Sequence, residues 1–122
     1  MTETGRVKIG ILTCIHSNDV CTRAGCLNAF NHRTDYFQDY PEDTELSVLM
    51  TCNGCKEERP EQPRQDQGIL EKLDRIQREG VTIIHVGVCR LLKNKKECER
   101  ITEICSLLEE RGIQVVRGTH RE

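Results

Sequence analysis

Four short apolar runs limit what this chain can fold into. Val7–Thr13, Glu45–Met50, Val81–Val88 and Ile113–Val116 are mostly apolar, too brief for buried helices, and separated by polar or amphipathic stretches. The first and third are apolar on both alternating faces, the pattern of strands in a parallel sheet covered on each side by helices. Helical signals fill the gaps. A segment opening at Cys21-Thr22-Arg23-Ala24-Gly25-Cys26 runs on through Leu27, Ala29 and Phe30. Asp66 is a candidate N-cap for a helix with Ile69, Leu70, Leu73 and Ile76 on one face and Gly80 as its stop. Asn94 with Glu97 reads as a capping box for a last helix, with Ile101, Ile104, Cys105 and Leu108 inside and Gly112 at its end.

Strand and helix in alternation predict an α/β fold. The expected architecture is a single domain over residues 1–122, an open parallel sheet of about four strands in the order 2-1-3-4, flanked by helices in a flavodoxin- or Rossmann-like three-layer arrangement. The segment from His32 to Thr44 holds Tyr36, Phe37 and Tyr40, three of the chain's four aromatic residues, and Pro41, so it reads as an irregular connector packed over the core. Lys56 to Arg64, polar and carrying Pro60 and Pro63, reads as an exposed loop.

Eight cysteines in 122 residues need an explanation beyond core packing. Met1 to Lys8 is polar, the run after it is short and interrupted, and no small-residue cleavage site follows, so no signal peptide is expected. No stretch reaches the length of a membrane span. In the cytoplasm such a cysteine content favours metal or redox chemistry over a disulfide framework. The formal charge of -2, with acids and bases mixed, predicts no nucleic-acid or anionic-membrane partner. Arg90, Lys93, Lys95 and Lys96 cluster, but a solvated loop accounts for them.

Placement makes the cysteines informative. In an open parallel sheet, ligands bind outside the carboxyl ends of the strands where the order reverses, here between strands one and three. Cys14 and Cys89 end those two strands. Cys52-Asn53-Gly54-Cys55 follows strand two, and the two-residue spacing lets both sulfurs aim at one point, as metal ligands and redox dithiols require. Cys21 and Cys26 lie near a helix start, where unpaired N–H groups and the positive dipole end favour thiolate. Cys98 lies near the start of the last helix, and His120 follows strand four. The expected metal ligands are therefore Cys14, Cys21, Cys26, Cys52, Cys55, Cys89, Cys98 and His120. Cys98 also lies on the apolar stripe, where packing is its competing role. Cys105 sits deeper on that stripe and reads as a core residue. His85 lies on strand three roughly 13 Å from Cys89, at ~3.3 Å per residue, and reads as a buried, hydrogen-bonded or supporting histidine. His32 reads as a helix-end or solvent residue, and His16 stays open as a ligand.

The chain resembles the CGGC-domain family. The likeness rests on Cys14, on Cys21 to Cys26 with Ala29-Phe30-Asn31, on Cys52-Asn53-Gly54-Cys55, on Ile84-His85-Val86 leading to Cys89, on Cys98, and on Gly118-Thr119-His120. It implies a metal-binding protein and does not name a reaction. Cys105 lies outside the family pattern and His85 inside it. Asn53 stands where the family name has glycine, and Asn is the residue besides glycine that best tolerates a left-handed backbone.

Two cofactors suit the donors. Zinc accepts mixed Cys and His ligands, with an iron–sulfur cluster as the alternative, and eight donors suffice for two four-coordinate sites. Two other functions compete. A thiol–disulfide redox protein would use Cys52 and Cys55, although such pairs usually open a helix and here an acidic, proline-bearing loop follows. A metal-dependent sensor or adaptor would present the loop Lys56 to Gln65 to a partner. No nucleophile with a paired base, phosphate-binding glycine loop or carboxylate pair supports a hydrolase or nucleotide enzyme.

Overall fold

The computed structural model describes residues 7–15, 21–54, 61–92 and 94–119. Its elements are β1 (Lys8–Thr13), α1 (Ala24–His32), β2 (Glu45–Thr51), α2 (Gln67–Glu79), β3 (Ile83–Val86), α3 (Glu99–Glu110) and β4 (Gln114–Arg117). The strands form one parallel sheet in the order β2-β1-β3-β4, the expected topology. Helices flank it on both faces.

Side-chain alternation along β1 decides which helix covers which face. Ile9 and Ile11 point to one side and join Ala29 and Phe30 of α1 and Phe37 of the connector in one buried cluster. Leu12, Ile84 and Val86 point to the other and meet Ile69, Leu73 and Ile76 of α2 and Ile101, Ile104 and Leu108 of α3. The three β1 residues are fully buried, which explains why the first apolar run has no polar face. Gly10 allows the strands to close up. A Cβ there would lie 2.7 Å from Ile84 Cδ1 and 3.1 Å from the Val48 carbonyl oxygen, at the register shift between Ile9 and Gly10.

Asp66 caps α2 as its sequence suggests, its Oδ1 accepting the N–H groups of Gly68 (2.9 Å) and Ile69 (3.4 Å). Gly80 ends that helix in the left-handed conformation, φ 82°. In the connector, a 3-10 turn at Asp35–Phe37 buries Phe37 edge-on to Phe30, with ring centroids 5.6 Å apart, so these rings serve packing.

Several boundaries differ from expectation. α1 opens at Ala24, after Arg23 adopts φ 69°, so Cys21 precedes the helix and Cys26 lies in its first turn. The third strand ends at Val86, and Val88–Arg90 form a 3-10 turn that holds Cys89. The apolar run was longer than the ladder because β1 offers its last partner at Leu12, whose carbonyl accepts the Gly87 N–H at 3.0 Å. The expected exposed loop ends in a 3-10 turn at Pro63–Gln65 in which Pro63 is buried, with proline at a first position where its missing N–H costs nothing. The capping box does not form. α3 starts at Glu99 with Cys98 as its N-cap residue, while the Asn94 side chain accepts the Lys96 N–H at 2.9 Å. Glu97 is drawn away by Arg117 (2.7 Å) and Arg90 (3.3 Å), which hold its carboxyl below the usual carboxylate range, the Arg117 hydrogen bond being the largest cause.

Replacing Gly10 by Ala is expected to lower unfolding free energy by about 1–3 kcal/mol through overpacking between β1, β2 and β3. Urea denaturation checks this, and an unchanged midpoint would contradict the close strand approach.

Candidate metal centre

Cys89 occupies the place where the strand order reverses. The backbone N–H of Cys14, one residue past β1, donates to Cys89 Sγ at 3.1 Å across the gap between β1 and β3. N–H groups aimed at sulfur are the hydrogen bonds that anionic thiolate ligands accept. Cys21 and Cys26 approach from the α1 side. Cys21 is exposed, and its sulfur accepts the Arg23 N–H at 3.3 Å. Cys26 is buried, 3.1 Å from Thr119 Oγ1. Its thiol is pushed up chiefly by burial, with the Thr119 hydrogen bond opposing and Cys89 and Cys21 adding to the rise. Cys26, although near a helix start, is therefore not a ready thiolate, burial being the largest influence on it.

Cys14 and Cys52 leave the sheet together. Thr13 pairs with Thr51 in the β1–β2 ladder, so the next residue of each chain emerges abreast of the other, with backbones roughly 5 Å apart. Cys52 is only 2 % exposed and packs in the cluster that α2 and α3 cover; Cys14 and Cys98 border that cluster. Cys98 donates its N–H to the Arg90 carbonyl at 2.8 Å, which ties the start of α3 to the Cys89 turn. After Cys52 the backbone turns left-handed at Asn53 (φ 68°) and Gly54 (φ 124°), so asparagine does adopt the conformation its position requires. Lys72 of α2 braces this turn, its ammonium donating to the Thr51 carbonyl (3.0 Å) and to Asn53 Oδ1.

The loop after β4 is held by three neighbours. His85 is 1 % exposed; its Nδ1 donates to the Gly118 carbonyl at 2.8 Å, which leaves Nε2 to accept from Tyr40 Oη at 2.7 Å. Burial pushes the His85 pKa down, with the Gly118 carbonyl opposing, and burial pushes Tyr40 up. Both ring nitrogens are thus committed, so His85 supports the loop rather than offering a donor. Tyr36 lies across Gly118, where a Cβ would meet its ring at 2.6 Å. Thr119, 1 % exposed, completes the contact to Cys26.

Of the expected ligands, Cys14, Cys21, Cys26, Cys52, Cys89 and Cys98 are described, while Cys55 and His120, like His16, lie outside the described residues. Among the described residues no three Cys, His, Asp or Glu side chains are arranged to hold a metal ion, and the seven described cysteines form no disulfide. The donors divide between the sheet's two faces: Cys26 on the α1 side with Cys21 just before that helix, and Cys14, Cys52 and Cys98 against the α2–α3 core, with Cys89 linked to Cys14. Cys105, 1 % exposed inside that core, has its thiol raised to about 11 by burial, in keeping with a packing role. His32, exposed, bonds the Asn28 carbonyl one turn back at 3.0 Å. Sequence reasoning missed Arg23, Lys72 and Thr119, which hold these loops. Arg23 and Thr119 lay inside motifs already noted, whereas nothing in local spacing distinguishes Lys72.

The fold and this rim define a thiol-rich α/β protein with cysteines from several loops at the carboxyl ends of a parallel sheet. The chain belongs to the CGGC domain family, whose model matches residues 8–120. That family is one to which metal binding is ascribed in general terms. No curated protein and no solved structure matches the chain.

Among the described cysteines, alkylation with iodoacetamide at pH 8, followed by mass mapping, is expected to modify Cys21 first and Cys105 last. Early loss of Cys105 would contradict its burial. A second expectation concerns pH. The folded state disfavours the His85 imidazolium, so below the ordinary histidine value of 6.5 the unfolded chain binds more protons. The His85 contribution is complete above that value and declines as pH falls. Melting temperature should drop less between roughly pH 7.5 and 5 in His85→Gln than in the wild type.

Proposed function

We propose that this protein, as one CGGC-like domain over residues 1–122, binds metal through thiolates at the carboxyl rim of its sheet. The ligands are drawn from Cys14, Cys21, Cys26, Cys52, Cys55, Cys89, Cys98 and His120. One observation carries the reading: at the switch point between β1 and β3, Cys89 Sγ accepts the Cys14 N–H at 3.1 Å, so two expected ligand residues from different loops meet there. Soft thiolates with one imidazole suit zinc, and an iron–sulfur cluster suits the same sulfurs. Zinc is the preferred metal because His120 belongs to the donor set. Closing a four-coordinate site needs a donor beyond those already near one another, which Cys55 and His120 would supply, and binding would draw Cys26 from Thr119 while removing its proton. A cytoplasmic setting suits cysteines that stay reduced. No helix among the described residues is long and apolar enough to cross a membrane.

The redox reading on Cys52 and Cys55 has less support. Cys52 is buried among the aliphatic side chains of the α2–α3 core, where an exchanging thiol or oxidant has poor access to it.

Anaerobic purification followed by a visible spectrum and counts of zinc, iron and free thiols tests the proposal. Stoichiometric zinc in colourless protein supports the preferred metal, and brown protein with stoichiometric iron selects the cluster. Cys89→Ser is expected to reduce metal content by at least about tenfold, while Cys105→Ala retains it. Metal-free protein whose thiols reversibly oxidise in pairs would overturn the proposal in favour of redox chemistry.

A further inference from the structure

Where β1 and β3 part at the rim, a hydrogen bond to sulfur takes over from the ladder. Leu12 and Val86 are the last register partners, and the Gly87 N–H still reaches the Leu12 carbonyl at 3.0 Å. Beyond that point the 3-10 turn Val88–Arg90 folds back, with the Arg90 N–H on the Gly87 carbonyl at 3.1 Å. The turn carries the Cys89 sulfur inward. It lies 3.5 Å from where a Cβ on Gly87 would stand and 3.1 Å from the Cys14 nitrogen.

That contact limits how far apart the two cysteines can be. An N–H leaves its nitrogen at about 120° to an N–Cα bond of about 1.46 Å, so Cys89 Sγ lies roughly 4 Å from the Cys14 Cα. The two Cα atoms are then no more than about 7 Å apart, within the span of a disulfide. Cys14 borders the α2–α3 core, and closing the bond needs its sulfur to leave that border for another staggered χ1 position. Both cysteines are half-buried and open to a small reagent, whereas Cys26, Cys52 and Cys105 are buried.

The geometry points to Cys14 and Cys89 as a redox modification site that takes a low-molecular-weight disulfide, of the glutathione type, as its oxidant. One cysteine thiolate attacks the small disulfide, forming a mixed disulfide and expelling one small thiolate. The other cysteine thiolate attacks the protein sulfur of that bond and expels the second. The product is a Cys14–Cys89 disulfide that joins the chain just past β1 to the turn after β3. Two electrons pass from the cysteines to the oxidant, and the two thiol protons end on the two small thiols released. Disulfides in cytoplasmic chains are usually transient and redox-sensing, which suits a pair placed at a rim. The site is distinct from the Cys52–Cys55 dithiol and needs no metal. Where the metal proposal also holds, closing the bond withdraws two expected ligands, so oxidation and metal binding compete for the same sulfurs.

Reduced protein, its metal counted and then removed with a chelator, is incubated with glutathione disulfide and blocked with N-ethylmaleimide. Digestion without reductant by trypsin and an Asp-directed protease, followed by mass mapping, reads the linkage; cleavage at Asp19 separates Cys14 from Cys21. A peptide pair linked through Cys14 and Cys89 is expected as the first intramolecular disulfide, and dithiothreitol should release it. In Cys14→Ser the linked pair should be lost and glutathione should stay on Cys89; in Cys89→Ser it should stay on Cys14. The wild-type map decides the matter even where a variant fails to fold. First closure between any other two cysteines, glutathione adducts without a linked pair, or no oxidation at all would overturn the proposal. Because metal is counted before it is removed, the metal proposal stands or falls on that count and the two readings fail separately.

Discussion

Everything at the rim depends on β1 being paired on both sides. Its ladder to β2 aligns Thr13 with Thr51, and its ladder to β3 aligns Leu12 with Val86. Parallel strands end at the same edge, so three loops that are distant in sequence begin within a few ångströms of each other. The helices contribute by burying both faces of β1, which excludes water from its hydrogen bonds and fixes the register. Gly10 lets the neighbouring side chains close over the middle of this strand. A shift of one residue in either ladder would turn every rim side chain to the opposite face.

Much of this was legible because periodicity and punctuation report it directly. The doubly apolar runs of β1 and β3, the Asp66 cap, the Gly80 stop and the strand order all followed from local pattern and the handedness of crossover connections. The left-handed turn at Asn53 was also readable, since only a few residue types accept it. Misreadings arose where a distant partner outbid a local signal. Glu97 is claimed by Arg117, twenty positions away in the chain, so the Asn94–Glu97 capping box does not form. The third run outlasts its ladder because β1 stops offering partners. Burial overrides the helix-start effect at Cys26, and no sequence spacing reveals how deeply a first-turn residue will sink. Lys72 is one of several lysines on solvated surface by sequence, and only the packing of α2 beside β2 brings it to the Thr51 carbonyl.

The division of cysteines across the sheet gives the rim two chemical characters. On the α1 side the thiols neighbour hydroxyls and a guanidinium, with Cys21 open to solvent. On the α2–α3 side Cys52 is enclosed by aliphatic side chains. Low-dielectric surroundings penalise a thiolate unless a cation or N–H group meets it, and burial pushes up the thiols of Cys26 and of Cys105 in the core. Cys14, which borders the α2–α3 core, donates its N–H to Cys89 Sγ, so one expected ligand residue meets the sulfur of another there.

Asn53 gives the dithiol turn a property that a glycine pair would lack. Two adjacent glycines can sample both hands of backbone conformation, and that freedom must be surrendered whenever the sulfurs are gathered on a common target. Asparagine narrows the accessible range before any target arrives, and its side-chain oxygen ties the turn to Lys72. Helix α2 thereby becomes part of the motif's mechanics. The variant dipeptide is a turn whose conformation is set as the protein folds.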